Sequence, residues 1–326
     1  MQKISCITLT VLTESPIALS NDQGFGNYTP IKKFYFKDGI HAMTSVATFT
    51  YELRKCLFEN FGWKLNDLTI KSSNSYFNNV EDLTEKNLEA DVFGFLLPND
   101  GVSKTSPLRV IPFVSATTYR GDTQLITNRG FLNLDLERNR FNEKGEEIPD
   151  EAVPSTQALA NEEVFGDYYA YTVTIELDRI GMSEVAKGGD GKYHYVSPSE
   201  RNYMPDELRI QAVQDILNAL TILTRDIKHQ RVLLKPLAVF GGAFDKVIPY
   251  FWDAVCLNEV QGETGLKLDL SVIEEVEAAY QLQGTIKAAD KNLLVDKEAI
   301  STMPVQAIQQ LAERLTIKNN DWYLKD

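Results

Sequence analysis

The sequence predicts an α+β fold whose core runs strand, helix, strand, strand, helix, strand. This is the split βαβ or ferredoxin-like order, shared with RNA-recognition modules, here interrupted by two long insertions. Three observations predict it. Two segments alternate with the period of a strand, two carry apolar residues at helical spacing, and two stretches between them lack regular pattern. At 326 residues, 43% hydrophobic and 10% aromatic, the chain can bury a substantial core, either as two domains or as one core with insertions. Wholesale disorder is excluded.

The first strand is read over residues 4–12, where Ile7, Leu9 and Val11 alternate with Thr8 and Thr10. A loop of turn formers follows, from Ser20 through Gly24-Phe25-Gly26-Asn27 to Pro30 and Lys32-Lys33. A helix over 42–58 carries Val46, Phe49, Leu53 and Cys56 on one stripe, with Ser45 or Thr44 as its cap and Arg54 and Lys55 near its end. Residues 60–107 are polar and weakly periodic. Residues 108–115 read as a strand broken by Pro112, hence an edge or a bulge. Between 118 and 166 the pattern is irregular, with Arg120, Arg129, Arg138 and Arg140 scattered through its first half. Residues 169–177 give the clearest strand, with Tyr169, Tyr171, Val173, Ile175 and Leu177 on one face and Thr172 and Thr174 on the other. Pro205-Asp206-Glu207 opens a long helix to about 228, striped by Val213, Ile216, Leu217, Leu220, Leu223 and Ile227. A last strand over 237–240 runs into Gly241-Gly242, and helices follow near 273–280 and 305–315.

The formal charge of −13 argues against a generic basic nucleic-acid binder, but the charge is unevenly placed. Residues 1–60, 101–145 and 216–258 hold 6 basic against 5 acidic groups, 7 against 4 and 5 against 3, whereas 146–215 hold 5 against 15. Three mildly basic segments are thus separated by acidic ones, which either serve solubility or leave the basic segments to gather on one face. Cys6, Cys56 and Cys256 form neither a CxxC nor an even framework, which points to a reducing compartment. No run reaches the ~18 apolar residues of a membrane helix, so a cytoplasmic protein without membrane partners is expected.

Enzymatic signatures are weak. His41 is read at the opening of the first helix, His194 in a glycine-rich loop, and His229 as a cation at the end of the long helix. No HxxxH, GxSxG or HExxH pattern occurs, and Gly24-Phe25-Gly26 lacks the third glycine of a dinucleotide fingerprint. Glu146-Glu147, Asp150-Glu151 and Glu162-Glu163 read as a solvated acidic stretch, since divalent sites need convergent oxygens. No metal or cofactor is expected. Binding is better supported: Gly241-Gly242 admits close backbone approach or merely turns the chain, Phe244 offers a stacking ring, and Asn27, Lys32 and Lys33 stand on a loop leading to a helix N-terminus.

Seven motifs fall in order along residues 4–251. They are Ile7-Thr8-Leu9-Thr10-Val11-Leu12, Gly24-Phe25-Gly26-Asn27, Asp91-Val92-Phe93-Gly94-Phe95, Tyr119-Arg120-Gly121-Asp122-Thr123, Ile126-Thr127-Asn128-Arg129-Gly130, Tyr169-Ala170-Tyr171-Thr172 and Val239-Phe240-Gly241-Gly242-Ala243-Phe244-Asp245. Together they resemble the CRISPR-associated autoregulator family, the backbone subunits of type I CRISPR surveillance (Cascade) complexes, and are most like type I-B. The resemblance implies a right-hand shape. A ferredoxin-like palm would take residues 1–59, 108–117 and 168–258, a helical finger insertion 60–107, and a β-hairpin thumb 118–167. Residues 259–326 match nothing in it and read as a C-terminal helical extension.

It further implies a non-catalytic subunit that polymerises along guide RNA and supports pairing with a target DNA strand, for antiviral defence or RNA-guided transposition. Its partners would be further copies of itself and the end-cap, large and small subunits. The RNA backbone would be held by Asn27, Lys32, Lys33, Thr44, Ser45, Arg54, Arg120, Arg129, Gly241, Gly242 and Phe244. Leu125, Ile126 and Thr127 would wedge a flipped base, and Phe95 or Leu96 would cover one from the finger. Two rival readings remain: a metal-dependent ribonuclease using Asp22 or Asp38, and a transcriptional regulator.

Overall fold

The computed structural model describes residues 2–66, 68–71, 74–77, 87–127, 140–149, 159–300 and 302–325. Its centre is a five-stranded antiparallel sheet built from β1 (Cys6–Ser15), β2 (Leu108–Ser115), β5 (Asp167–Glu176), β6 (Ala238–Phe244) and β7 (Ile286–Ala289), in the order β2-β5-β1-β6-β7. A separate three-stranded sheet joins β3 (Asp122–Thr127) to β4 (Leu159–Val164), with Tyr28–Thr29 alongside β4. The longer helices among the described residues are α1 (Val46–Phe61), α2 (Asp206–Thr221), α3 (Ser271–Tyr280) and α4 (Pro304–Glu313).

The register explains the alternation in the sequence. Ile7, Leu9 and Val11 pair with Ile175, Val173 and Tyr171, and this face is covered by Phe49, Leu53 and Leu57 of α1 and by Val213, Ile216, Leu217 and Leu220 of α2. The opposite face is not solvated, contrary to the half-buried period of β1. Thr8 and Thr10 are buried and bond across the ladder to Thr174 and Thr172, with Oγ1–Oγ1 distances of 2.8 and 2.9 Å. Residues 244–300 cover this side, through Phe244, Tyr250, Phe251, Leu268, Ile273 and Leu294. Threonine suits both situations, being β-branched yet able to satisfy its own hydroxyl across a strand pair.

Pro112 lies where expected: β2 is an edge strand, and its register with β5 shifts between Ile111 and Val114. Ser45 caps α1 by accepting from the Thr48 N–H at 3.1 Å, and Gly62 closes it in the left-handed conformation.

Several expectations are corrected. The second long helix ends at Thr221, and a hairpin of Thr224–Ile227 with Gln230–Leu233 follows. His229 is therefore not a helix-terminal cation. Lys228 and His229 form the two-residue turn with φ of 50° and 60°, the positive pair that matches strand twist in a tight hairpin. His41 lies not at a helix start but in the strand Gly39–Ala42, buried against Ser115. Residues 259–326 are not simply helical: β7 joins the central sheet, and Asp321–Leu324 pairs with Lys3–Ile4, burying Trp322. The described part of 60–107 holds the six-residue helix Leu88–Phe93 and the hairpins Leu68–Lys71/Asn74–Phe77 and Phe95–Leu97/Val102–Lys104, and the rest of the helical finger expected there lies outside the described residues. Gly241 and Gly242 are not a loop after the last strand but its middle, and a Cβ on Gly241 would stand 2.0 Å from Thr8 O.

Candidate nucleic-acid interface

The residues singled out on the first loop are drawn to one anchor, Glu163 of β4. Its carboxylate accepts from Tyr28 Oη at 2.6 Å, from the Ile31 N–H at 2.7 Å and from Lys33 Nζ at 2.5 Å. Lys33 also lies over the Tyr119 ring, 4.4 Å from its centroid. The Asn161 N–H donates to Asn27 O at 2.7 Å, and Tyr28–Thr29 pairs in parallel with β4, so the loop becomes a third strand of the β3–β4 ladder. Burial pushes the Glu163 carboxyl up, but the bonds from Lys33, Tyr28 and the Ile31 N–H outweigh it and hold the group below the ordinary carboxylate range. Burial together with Glu163 raises the Tyr119 hydroxyl to about 12.

Lys33 is consequently engaged inside the fold, whereas Asn27 is exposed and Lys32 half-exposed with its ammonium 5.7 Å from the Phe34 centroid. The sequence reading missed Glu163, placing it in a solvated acidic stretch. Its strand, Leu159–Val164, is too short and too polar to reveal a buried carboxylate in the sequence.

On α1, Ser45 serves as the cap, and Thr44 is buried with its hydroxyl unpartnered among the described residues. Arg54 does not stand free. It lies 3.2 Å from Glu89 and 4.1 Å from the Phe93 ring centroid, tying α1 to the helix Leu88–Phe93, and its burial lowers its pKa. Phe95 turns inward onto the small cluster of Ala90, Leu97, Val102 and Val185, while Leu96 is 58% exposed. Leu96 is thus the one of the pair that faces outward.

Leu125 and Ile126 are 61% and 40% exposed on β3. Ile126 borders a cavity of about 320 Å³ shared with Ile17, Glu162 and the Lys228–His229 turn. Lys228 Nζ closes that side, 3.1 Å from Glu162 and donating to Glu163 O at 3.3 Å. Thr127 ends β3, with its side chain outside the described residues, as is all of Arg129. Arg120 is exposed and lines an open cavity of about 780 Å³ with Thr117 and residues 259–263, 265 and 266. Gly241, Gly242 and Phe244 are buried, and Phe244 packs edge-on against Tyr250 at 5.2 Å. In this structure they are core, not a surface on which a base can stack.

The arrangement therefore leaves Asn27, Lys32, Leu96, Arg120, Leu125 and Ile126 outward-facing, and draws Lys33, Arg54, Thr44, Gly241, Gly242 and Phe244 inward. Such a surface mixes isolated cations with apolar tips, which suits a polyanion held without base-specific hydrogen bonds. Among the described residues no group of three or more His, Cys, Asp or Glu side chains is placed to hold a metal ion.

Comparison with known proteins agrees with the fold. A chain described as "CRISPR RNA-guided surveillance complex, pre-nicking" superimposes with a TM-score of 0.57 at 11% identity, covering 94% of this chain and 99% of that one. A second, described as "CRISPR RNA-guided surveillance complex", gives 0.54 at 15% identity, with 94% and 98% covered. No curated protein matches. The family model for the CRISPR-associated negative auto-regulator DevR/Csa2 matches residues 7–260. That match takes in both insertions and the whole sheet except β7, and the chain belongs to the CRISPR-associated negative auto-regulator DevR/Csa2 family.

Proposed function

We propose that this chain is a non-catalytic, guide-RNA-binding backbone subunit of a type I Cascade complex, of the I-B kind, working in the cytoplasm. The observation that carries the reading is family membership joined to a near end-to-end likeness to a chain from a CRISPR RNA-guided surveillance complex. In this reading the central sheet with α1 and α2 is the palm, residues 60–107 are the finger, and the β3–β4 ribbon is the thumb. Leu125 and Ile126 wedge a flipped base, and Asn27, Lys32 and Arg120 meet the RNA backbone. Contacts to phosphate and sugar position a guide of any sequence and leave the reading of the target to base pairing. Copies of the chain polymerise along one guide, capped and flanked by the other subunits, and hold the guide open for a DNA strand. Among the described residues no helix is long and apolar enough to cross a membrane.

Native mass spectrometry of the complex co-purified with its RNA tests this. A ladder of copies on one RNA of defined length is expected, and a single copy without RNA overturns the proposal. Periodic Mg²⁺-dependent cleavage of complementary RNA, abolished by Asp22→Ala or Asp38→Ala, would instead establish a ribonuclease. Tight binding to one promoter duplex in preference to guide RNA would establish a regulator.

A further inference from the structure

The hairpin Lys33–Phe36/Gly39–Ala42 carries an exposed aromatic group that the reading above leaves unused. Tyr35 is 82% exposed, Phe34 46% and Ile40 45%. Single exposed apolar residues are ordinary on protein surfaces, but three on one short ribbon are not. Nor is the ribbon a loose loop. The Tyr119 N–H donates to Ile40 O at 2.6 Å, the Met43 N–H to Lys32 O at 3.0 Å and the Ala42 N–H to Ser115 Oγ at 3.1 Å. His41 Nδ1 donates to Ser115 O at 2.8 Å, and Phe36 packs edge-on against the His41 ring at 5.2 Å. The aromatic rings are thus presented to solvent by a fixed base.

The pairing register puts Tyr35 opposite Ile40 on one side of the ribbon and Phe34 opposite His41 on the other. Lys32 hangs its ammonium 5.7 Å from the Phe34 centroid, and Lys37 is exposed at the turn beside Asp38, whose carboxylate lies 3.1 Å from His41 Nε2, whereas the chain as a whole carries −13. Exposed rings interleaved with lysines match what a single-stranded nucleic acid offers, which is a π-face on every base and a phosphate between successive bases. A duplex hides its base faces, and an apolar protein surface has no use for the lysines.

We infer that this hairpin is a stacking site for single-stranded nucleic acid, with bases laid on Phe34 and Tyr35 and phosphates met by Lys32 and Lys37. The inference rests on the guide-RNA reading, and extends the first-loop contact at Lys32 by a base-stacking surface on the hairpin that follows it. Because stacking is indifferent to the sugar, both RNA and DNA strands fit.

The test titrates labelled oligouridine and oligodeoxythymidine of equal length with the full chain, with Phe34→Ala/Tyr35→Ala and with two single variants. The double variant should weaken binding of both strands about thirtyfold or more, the loss expected when two stacked rings are removed, while the unfolding midpoint stays unchanged. Tyr35→Trp should keep the affinity and show fluorescence quenching on binding, and Tyr35→Leu should lose affinity although it remains apolar. Unchanged affinity in the double variant, with strong binding by the parent chain, overturns this inference and leaves the proposed function standing. A parent chain that binds neither strand overturns both. Loss of self-association with nucleic-acid affinity intact would show the hairpin to be a contact between copies, and would also overturn it.

Discussion

Lys33 and Glu163, 130 positions apart, meet with Nζ 2.5 Å from Oε2, and through them the first loop is fastened to β4. The carboxylate side chain is 9% exposed and the lysine side chain 23%, so the pair is only partly screened by water. A cation that the sequence offers to phosphate is thereby held by the protein's own acid, and the loop is set in place by its bonds to Tyr28 and the Ile31 N–H.

Glu163→Gln should lower stability by about 2 kcal/mol, because Lys33 is left half-buried without its countercharge. Its pH dependence is also defined. The folded carboxyl titrates below its ordinary value of 4.5, so its contribution is fully present above that pH and is lost as pH falls through the folded pKa. Across urea midpoints measured from pH 7 down to pH 3, the gap between parent and variant should narrow toward the acid end. A constant gap across that range would refute the assignment.

Gly241→Ala should be far more damaging than any surface glycine change. The new Cβ would stand 2.0 Å from Thr8 O in the adjacent strand, and φ of 142° is itself unfavourable for alanine. A loss of about 3 kcal/mol or more is expected, against about 1 kcal/mol for Gly262→Ala, where nothing lies within 4 Å. Thermal unfolding of the two variants gives the comparison directly.

The Thr8–Thr174 pair supports a double-mutant cycle. Thr8→Val alone should cost about 1–2 kcal/mol, since it strands the Thr174 hydroxyl in the core. Adding Thr174→Val should recover most of that loss, because both polar partners are then replaced by groups of the same shape. Additive losses in equilibrium unfolding would mean that the hydroxyls do not rely on each other.

Lys32→Ala with Arg120→Ala should weaken guide-RNA binding across all sequences and shallow the slope of log K against log salt by about 1.4, two single-strand phosphate contacts' worth. Arg54→Ala should leave that slope unchanged, since Arg54 is taken up by Glu89 and Phe93. Filter binding at several salt concentrations separates the two. A steeper change from Arg54→Ala would place that guanidinium on RNA.

What the sequence determined by itself was local. Periodicity placed β1, β5 and α1 to within a few residues and the start of α2, and Pro112 announced the edge and bulge of β2. The ordered motifs over 4–251 agree with the family match over 7–260. Helical pattern ran too far in one place because Leu223 and Ile227 keep the apolar spacing of α2, although two residues at positive φ turn them into a hairpin.

Only the tertiary structure decided which side of each element meets water. Alternation shows that β1 has two faces, but not that residues 244–300 fold back over the threonine side, nor that β7 extends the sheet. The same limit governs the site. Residue type told which groups can touch phosphate or stack on a base, yet Lys33 is claimed by Glu163, Arg54 by Glu89 and Gly241 by Thr8. Those partners are distant in the chain and weakly marked in it. A side chain's chemistry is written in the sequence, but its availability depends on what else the fold brings within about 3 Å.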